Sequence, residues 1–159
     1  MALEQLSVKT VEGCVALGQH RNVIQGVGAA TRTLLANESG SLVLFDRAAG
    51  ITYTLPTAVA GMTFTFATSV TITSNAAKTI CASGAFLLGT VFGYTTDVTE
   101  IDGFTADGSA DLAISSNGST TGGVIGDCYT VTAISATQWM ITGHVFCGTS
   151  TPSTPIATS

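Results

Sequence analysis

Between about residue 30 and residue 147 the chain alternates apolar and small polar residues in short runs broken by Gly, Asn and Asp. The clearest run is Met62-Thr63-Phe64-Thr65-Phe66-Ala67-Thr68, and the alternation continues through Val70-Thr71-Ile72-Thr73. A period of two puts Phe64 and Phe66 on one face of a pleated strand and the threonines on the other. Residues 32–36, 42–45, 52–55, 79–82, 87–92, 111–114, 129–134 and 139–144 also read as strands, at the spacing of roughly 8 to 12 residues typical of a sandwich or barrel. No sustained helical period follows residue 35. The expected fold is all-β: a single antiparallel β-sandwich of jelly-roll type over residues 31–147. An irregular N-terminal arm or edge segment (1–30) precedes it, and a flexible Pro/Thr/Ser-rich tail (148–159) follows.

The punctuation supports this reading. Gly40 and Gly50 supply positions where the chain can take positive φ before the next strand, Pro56 ends one strand because it has no N–H for a ladder, and the turn glycine Gly61 opens the next. Phe45, Leu55, Phe64, Phe66, Ile72 and Trp139 are the expected core. A surface aromatic that stacks on sugar is the functional rival for Trp139, although strand parity groups Trp139 with Ile141. The first 30 residues mix spacings of two, three and four around Gly13, Gly18, Gly26 and Gly28 and fit no regular element.

Charge then narrows the partners. Only 9% of residues are charged, and the gap is filled by 27 Thr, 14 Ser and 18 Gly. A compact monomer of 16.1 kDa exposes roughly 7,400 Å². Five Lys+Arg and ten Asp+Glu leave that surface sparsely ionised, so neighbours are expected to cover part of it. A net charge of −5, with the bases Lys9, Arg21, Arg32, Arg47 and Lys78 in no run, argues against nucleic acid. The N-terminus lacks the apolar core of a signal peptide, and no stretch is long enough for a membrane span. Synthesis in a reducing cytoplasm is the expectation. Cys14, Cys81, Cys128 and Cys147 have no metal-ligand spacing, and free thiols are expected. Cys128 and Cys147 fall on opposite faces of their strands by parity, against a bridge between them.

A reactive constellation is not evident. GxSxG, HExxH and GxxxxGK[ST] are all missing, and His20 and His144 lie in unrelated contexts. Gly26-Val27-Gly28 lacks the third glycine of a dinucleotide loop. Asp97, Glu100, Asp102, Asp107 and Asp111 do not follow calcium-loop spacing and read as a solvated acidic loop, with calcium the minor alternative. No enzymatic activity, cofactor or metal is expected.

The series Thr31-Arg32-Thr33-Leu34…Ser39-Gly40, Asp46…Ala48-Ala49-Gly50, Thr54-Leu55-Pro56 and Gly61…Phe64-Thr65-Phe66 resembles tailed-bacteriophage head decoration (cement) proteins, with relatives among tail-fibre modules. The closing Gly126-Asp127…Trp139…Gly143 is similar to that family's final hairpin. Residues 81–123 follow no part of the pattern, and Ser135-Ala136-Thr137 stands where the family commonly has Asp-Gly-Thr. The resemblance implies a virion structural role: a homotrimer on the capsid exterior, bridging neighbouring copies of the major capsid protein. A tail-fibre or host-attachment module is the alternative. A bacterial surface or pilus-like subunit is a third reading, which would need an export signal.

Overall fold

The computed structural model describes residues 21–26, 28–97 and 99–158. Most of the 1–30 segment lies outside them. The chain forms β1 (Val23–Ile24), β2 (Thr31–Thr33), β3 (Leu42–Phe45), β4 (Thr52–Thr54), β5 (Thr63–Thr68) and β6 (Ala77–Ile80). It continues with β7 (Phe86–Thr95), β8 (Ile101–Asp107), β9 (Ala113–Ser116), β10 (Cys128–Ala133), β11 (Gln138–Cys147) and β12 (Ile156–Ala157). One short 3-10 turn, Ala36–Glu38, interrupts the strands. The strands make two sheets, ordered β1-β3-β5-β10-β11-β7-β8 and β12-β9-β6-β4-β2. The all-β expectation holds.

The sheets are mixed rather than antiparallel. From β1 to β6 the chain alternates between them, so β1, β3 and β5 pair in parallel in one sheet and β2, β4 and β6 in the other. This is a coil: each circuit returns to its first sheet travelling in the same direction. A 21-residue repeat underlies it. Thr31-Arg32-Thr33 lies in register with Thr52-Tyr53-Thr54. Leu34 and Leu55 follow at equivalent positions, and then Gly40 (φ +91°) and Gly61 (φ +95°). The second half of the chain extends the sheets with the β7–β8 and β10–β11 hairpins and the parallel β7–β11 pair.

The core lies between the sheets. Phe45, Leu55, Phe64, Phe66, Ile72 and Trp139 are all buried, and Trp139 sits 6.1 Å from Phe64 between ring centroids. Complete burial removes Trp139 as a sugar platform. Aromatic contacts run across the sheets, with Phe45 5.5 Å from Tyr53 and Phe66 5.2 Å from Tyr129. Each buried ring contributes roughly 1.5–3 kcal/mol by leaving water. Two buried hydroxyls add a polar tie between layers: Thr79 on β6 and Tyr129 on β10 share a 2.8 Å hydrogen bond.

Three further expectations change. Residues 101–107 are strand β8 within what reads as an acidic loop; the edge position lets their carboxylates face water while the backbone pairs with β7. Val70–Thr73 is not strand, because its N–H groups turn to the Phe45, Gly123 and Ala48 carbonyls. The last segment is not loose. Ser153 N–H bonds the Thr120 carbonyl, Ser115 N–H the Pro155 carbonyl and Leu112 N–H the Ala157 carbonyl, while Pro152 and Pro155 are buried. Of the two readings of residues 1–30, an arm or an edge segment, the described part takes the second: β1 borders the larger sheet.

Candidate functional site

Alternation gives every inward side chain of the seven-stranded sheet an outward neighbour, and register decides which of these meet. One row across the outer face runs Leu42, Thr65, Thr130, Thr142, Thr90, Thr105. A flanking row runs Thr63, Thr132, Met140, Leu88, Asp107, and on the other side lie Leu44, Ala67, Cys128, His144, Phe92, Gly103. Asp107, at the β8 margin, is the single carboxylate in these rows, and none of their residues is Lys or Arg. Arg21 reaches over the face to donate to Thr65 Oγ1 at 2.9 Å. Thr65 and Thr130, and Thr63 and Thr132, each hold their hydroxyls 3.2 Å apart. The hydroxyls thus bond one another across neighbouring strands.

The β7–β11 part of the face is apolar and aromatic. Phe92 is 46% exposed and Met140 41%. Beside them His144 lies edge-on to Tyr94 (6.1 Å) and to Phe146 (5.3 Å), and its Nε2 is 3.3 Å from the Gly126 carbonyl. Six strands at a spacing of about 4.8 Å, with three rows about 7 Å apart, make this face on the order of 600 Å². That is the size of the largest apolar patch a typical monomer shows, and below the roughly 800 Å² each partner contributes to a standard interface.

Behind the face, buried ionisable groups hold the frame. Asp127 takes the Gly123 N–H on Oδ2 and the Phe146 N–H on Oδ1, each at 2.6 Å. Burial pushes its carboxyl up to about 7, against the opposing pull of these N–H groups and the Thr68 hydroxyl. Cys81 is pushed up to about 12 by burial, so its thiol stays protonated and inert. Burial also raises Cys147, whose Sγ donates to the Thr120 carbonyl at 3.0 Å. Cys128 points to the outer face and Cys147 to the core, as parity expects, and Cys81, Cys128 and Cys147 are free thiols.

The acids of the 97–111 segment bind the backbone and hydroxyls around them. Asp97 accepts from the Thr99 N–H and hydroxyl, and Asp107 from Ser109 and the Ala110 N–H. Hydrogen bonds from Thr95 and Thr99 lower Asp97, and those from Ser109 and Ala110 lower Asp107. Among the described residues no three His, Cys, Asp or Glu side chains gather to hold a metal. No described helix is long and apolar enough to cross a membrane.

The residues behind the phage resemblance have structural roles. Arg32 pairs with Glu38 at 2.6 Å, and Glu38 also receives the Leu35 N–H, which closes the turn before Gly40. Gly50 packs against Ala76, and Asp127 anchors the last hairpin. The outward positions Thr90, Phe92, Thr105, Met140 and Thr142 were not singled out from sequence; their signal is the polar half of the alternation, which names a face only once strand order is known. Compared with known protein families, with curated proteins and with solved structures, the chain has no match.

Proposed function

We propose that this chain is a virion structural protein that decorates and stabilises the capsid of a tailed bacteriophage. In this reading it is made in the host cytoplasm and sits as a homotrimer on the capsid exterior, where it bridges neighbouring major capsid subunits. The observation that carries the reading is the outer face of the seven-stranded sheet, a threonine-rich surface with almost no charge and with Phe92 and Met140 standing out of it. Such a face discriminates little by charge and has almost no ionised group to desolvate, which suits contact with a large fixed surface. It is smaller than a standard interface, so one copy alone binds weakly. Many copies on one shell, each bridging two subunits, convert weak contacts into a large stabilisation of the assembled state. The lack of a catalytic constellation in the sequence is consistent with a non-enzymatic role.

The aromatic group Phe92, Tyr94, His144 and Phe146 favours a second reading, a tail-fibre or host-attachment module that stacks these rings on cell-surface glycan. Adding the labelled protein to expanded capsids and imaging the particles separates the two. Density over the whole shell, lost for Met140→Glu/Phe92→Glu, supports decoration. Density confined to the tail, with glycan binding, supports attachment. A protein that binds neither overturns both.

A further inference from the structure

The two edges of the seven-stranded sheet differ in charge, and we infer that they join one copy of this chain to the next, head to tail, in a closed ring. This rests on the self-association within the proposed function and adds which surfaces meet.

β8 closes one edge. It pairs with β7 alone, so the outward N–H and C=O groups of a seven-residue strand have no strand partner among the described residues. Ile101, Asp102, Gly103, Thr105 and Asp107 are exposed along it. Asp97, Glu100, Asp102, Asp107 and Asp111 surround it, and the sequence contains no Lys or Arg after Lys78. Among the described residues the opposite edge is β1, with β2 at the corresponding edge of the second sheet. Arg21 precedes β1 with its guanidinium laid over the outer face against Thr65 of β5, Arg32 lies on β2 and Arg47 follows β3. Arg32 answers Glu38 but also donates to the Gln25 carbonyl, and Arg47 donates to the Gly28 carbonyl. Asp46 is occupied by the Gly26 N–H. The β1 side therefore carries Arg32 and Arg47 beside Glu38 and Asp46, with Arg21 set back on the face, against five carboxylates at the far edge.

Strand direction allows the join. β1, β3 and β5 run one way, β10 reverses, β11 and β7 resume the first direction, and β8 reverses again. Placing β8 of one copy beside β1 of the next continues the sheet as an antiparallel pair without inverting either copy. A two-fold β8–β8 contact is also antiparallel, but it sets Asp102 and Asp107 of both copies along one seam. Like charges across a strand pair oppose it, and charged edges serve widely to prevent such self-pairing. Charge therefore selects the heterologous contact, which closes into a ring when the rotation between copies divides the circle.

The test uses the full chain, read by native mass spectrometry and light scattering. The wild type is expected to form a ring that dissociates several-fold more readily when salt rises from about 0.05 M to about 0.5 M. Glu100→Lys/Asp102→Lys and Arg21→Glu/Arg47→Glu are each expected to weaken assembly at least tenfold, with the β-sheet signature of the fold retained in circular dichroism. An equimolar mixture of the two regains association in part, because in a mixed trimer two of the three junctions are complementary and the third joins like edges. A monomeric wild type would overturn the self-association reading and this one with it. A wild-type oligomer insensitive to salt, or intact in both variants, would overturn the edge assignment and leave self-association standing. So would an acidic-edge variant that keeps its oligomer and loses only capsid binding, since the edge would then serve a basic strand of another protein.

Discussion

The Asp127 carboxylate accepts the backbone N–H of Phe146 at 2.6 Å, tying the start of β10 to the far end of β11. Its other oxygen takes Gly123 N–H, so one side chain closes the loop before β10 and the hairpin after it. The carboxyl is at about 7 in the fold and near 3.8 when exposed, because burial penalises its charge. A raised folded value means that the native state binds the proton more tightly. This contribution is full below about 3.8 and is lost as pH rises through 7. Urea unfolding is expected to show stability falling by on the order of 2–4 kcal/mol between pH 5 and 8. Asp127→Asn removes that slope, and Asp127→Ala costs about 2–4 kcal/mol at pH 5 by leaving two N–H groups unpaired. A wild type whose stability is flat over this range would refute the assignment.

The Thr79–Tyr129 bond joins the two sheets through groups that water does not reach. Thr79→Val leaves the tyrosine hydroxyl unpaired and is expected to cost about 1–3 kcal/mol. The double change Thr79→Val/Tyr129→Phe removes both partners and recovers most of that loss. A double-mutant cycle in denaturant measures the coupling, and additive losses would show that the bond contributes nothing.

Gly50 and Gly61 both have positive φ but different surroundings. A Cβ on Gly61 meets nothing within 4 Å, whereas one on Gly50 falls 2.5 Å from the Ala76 carbonyl oxygen. Gly61→Ala is expected to cost about 1 kcal/mol, for backbone conformation alone. Gly50→Ala adds a backbone clash and is expected to cost about 3 kcal/mol or more. Thermal unfolding of the two variants ranks them.

Deleting residues 149–159 removes β12 and exposes the Ile114 side of β9. The expected result is a melting temperature lower by several degrees, with resistance to proteolysis at 148–158 in the intact chain. A truncated protein as stable as the whole would mean that the strap is not held in solution.

Thr142→Lys and Met140→Glu change exposed side chains on the outer face, so each is expected to alter stability by less than about 0.5 kcal/mol. In the proposed function they weaken capsid binding at least tenfold, which co-sedimentation measures.

Strand identity and facing were legible because burial writes itself into the period. Phe64 and Phe66 could be assigned to the core from their neighbours alone, as could the opposite facing of Cys128 and Cys147. β8 was hidden because carboxylates at Asp102 and Asp107 lower strand preference; only its edge position makes them harmless. The closing strap was hidden because Thr, Ser and Pro read the same in a loose tail and in a segment laid along a domain. Pro155 shows its docking only through the Ser115 N–H that bonds its carbonyl.

The sequence by itself determined that the chain is all-β, which side chains enter the core and where Gly40, Gly50 and Gly61 turn it, because these depend on local periodicity and backbone sterics. Only the tertiary structure decided that the first six strands coil in parallel between two sheets. A turn of a given composition can lead to the adjacent strand about 4.8 Å away or across to the facing sheet about 10 Å away, and alternation is the same in either case. The outer threonine face and the opposed charges of its two edges follow from that choice. They exist only once register has placed Thr65, Thr130, Thr142 and Thr90 side by side.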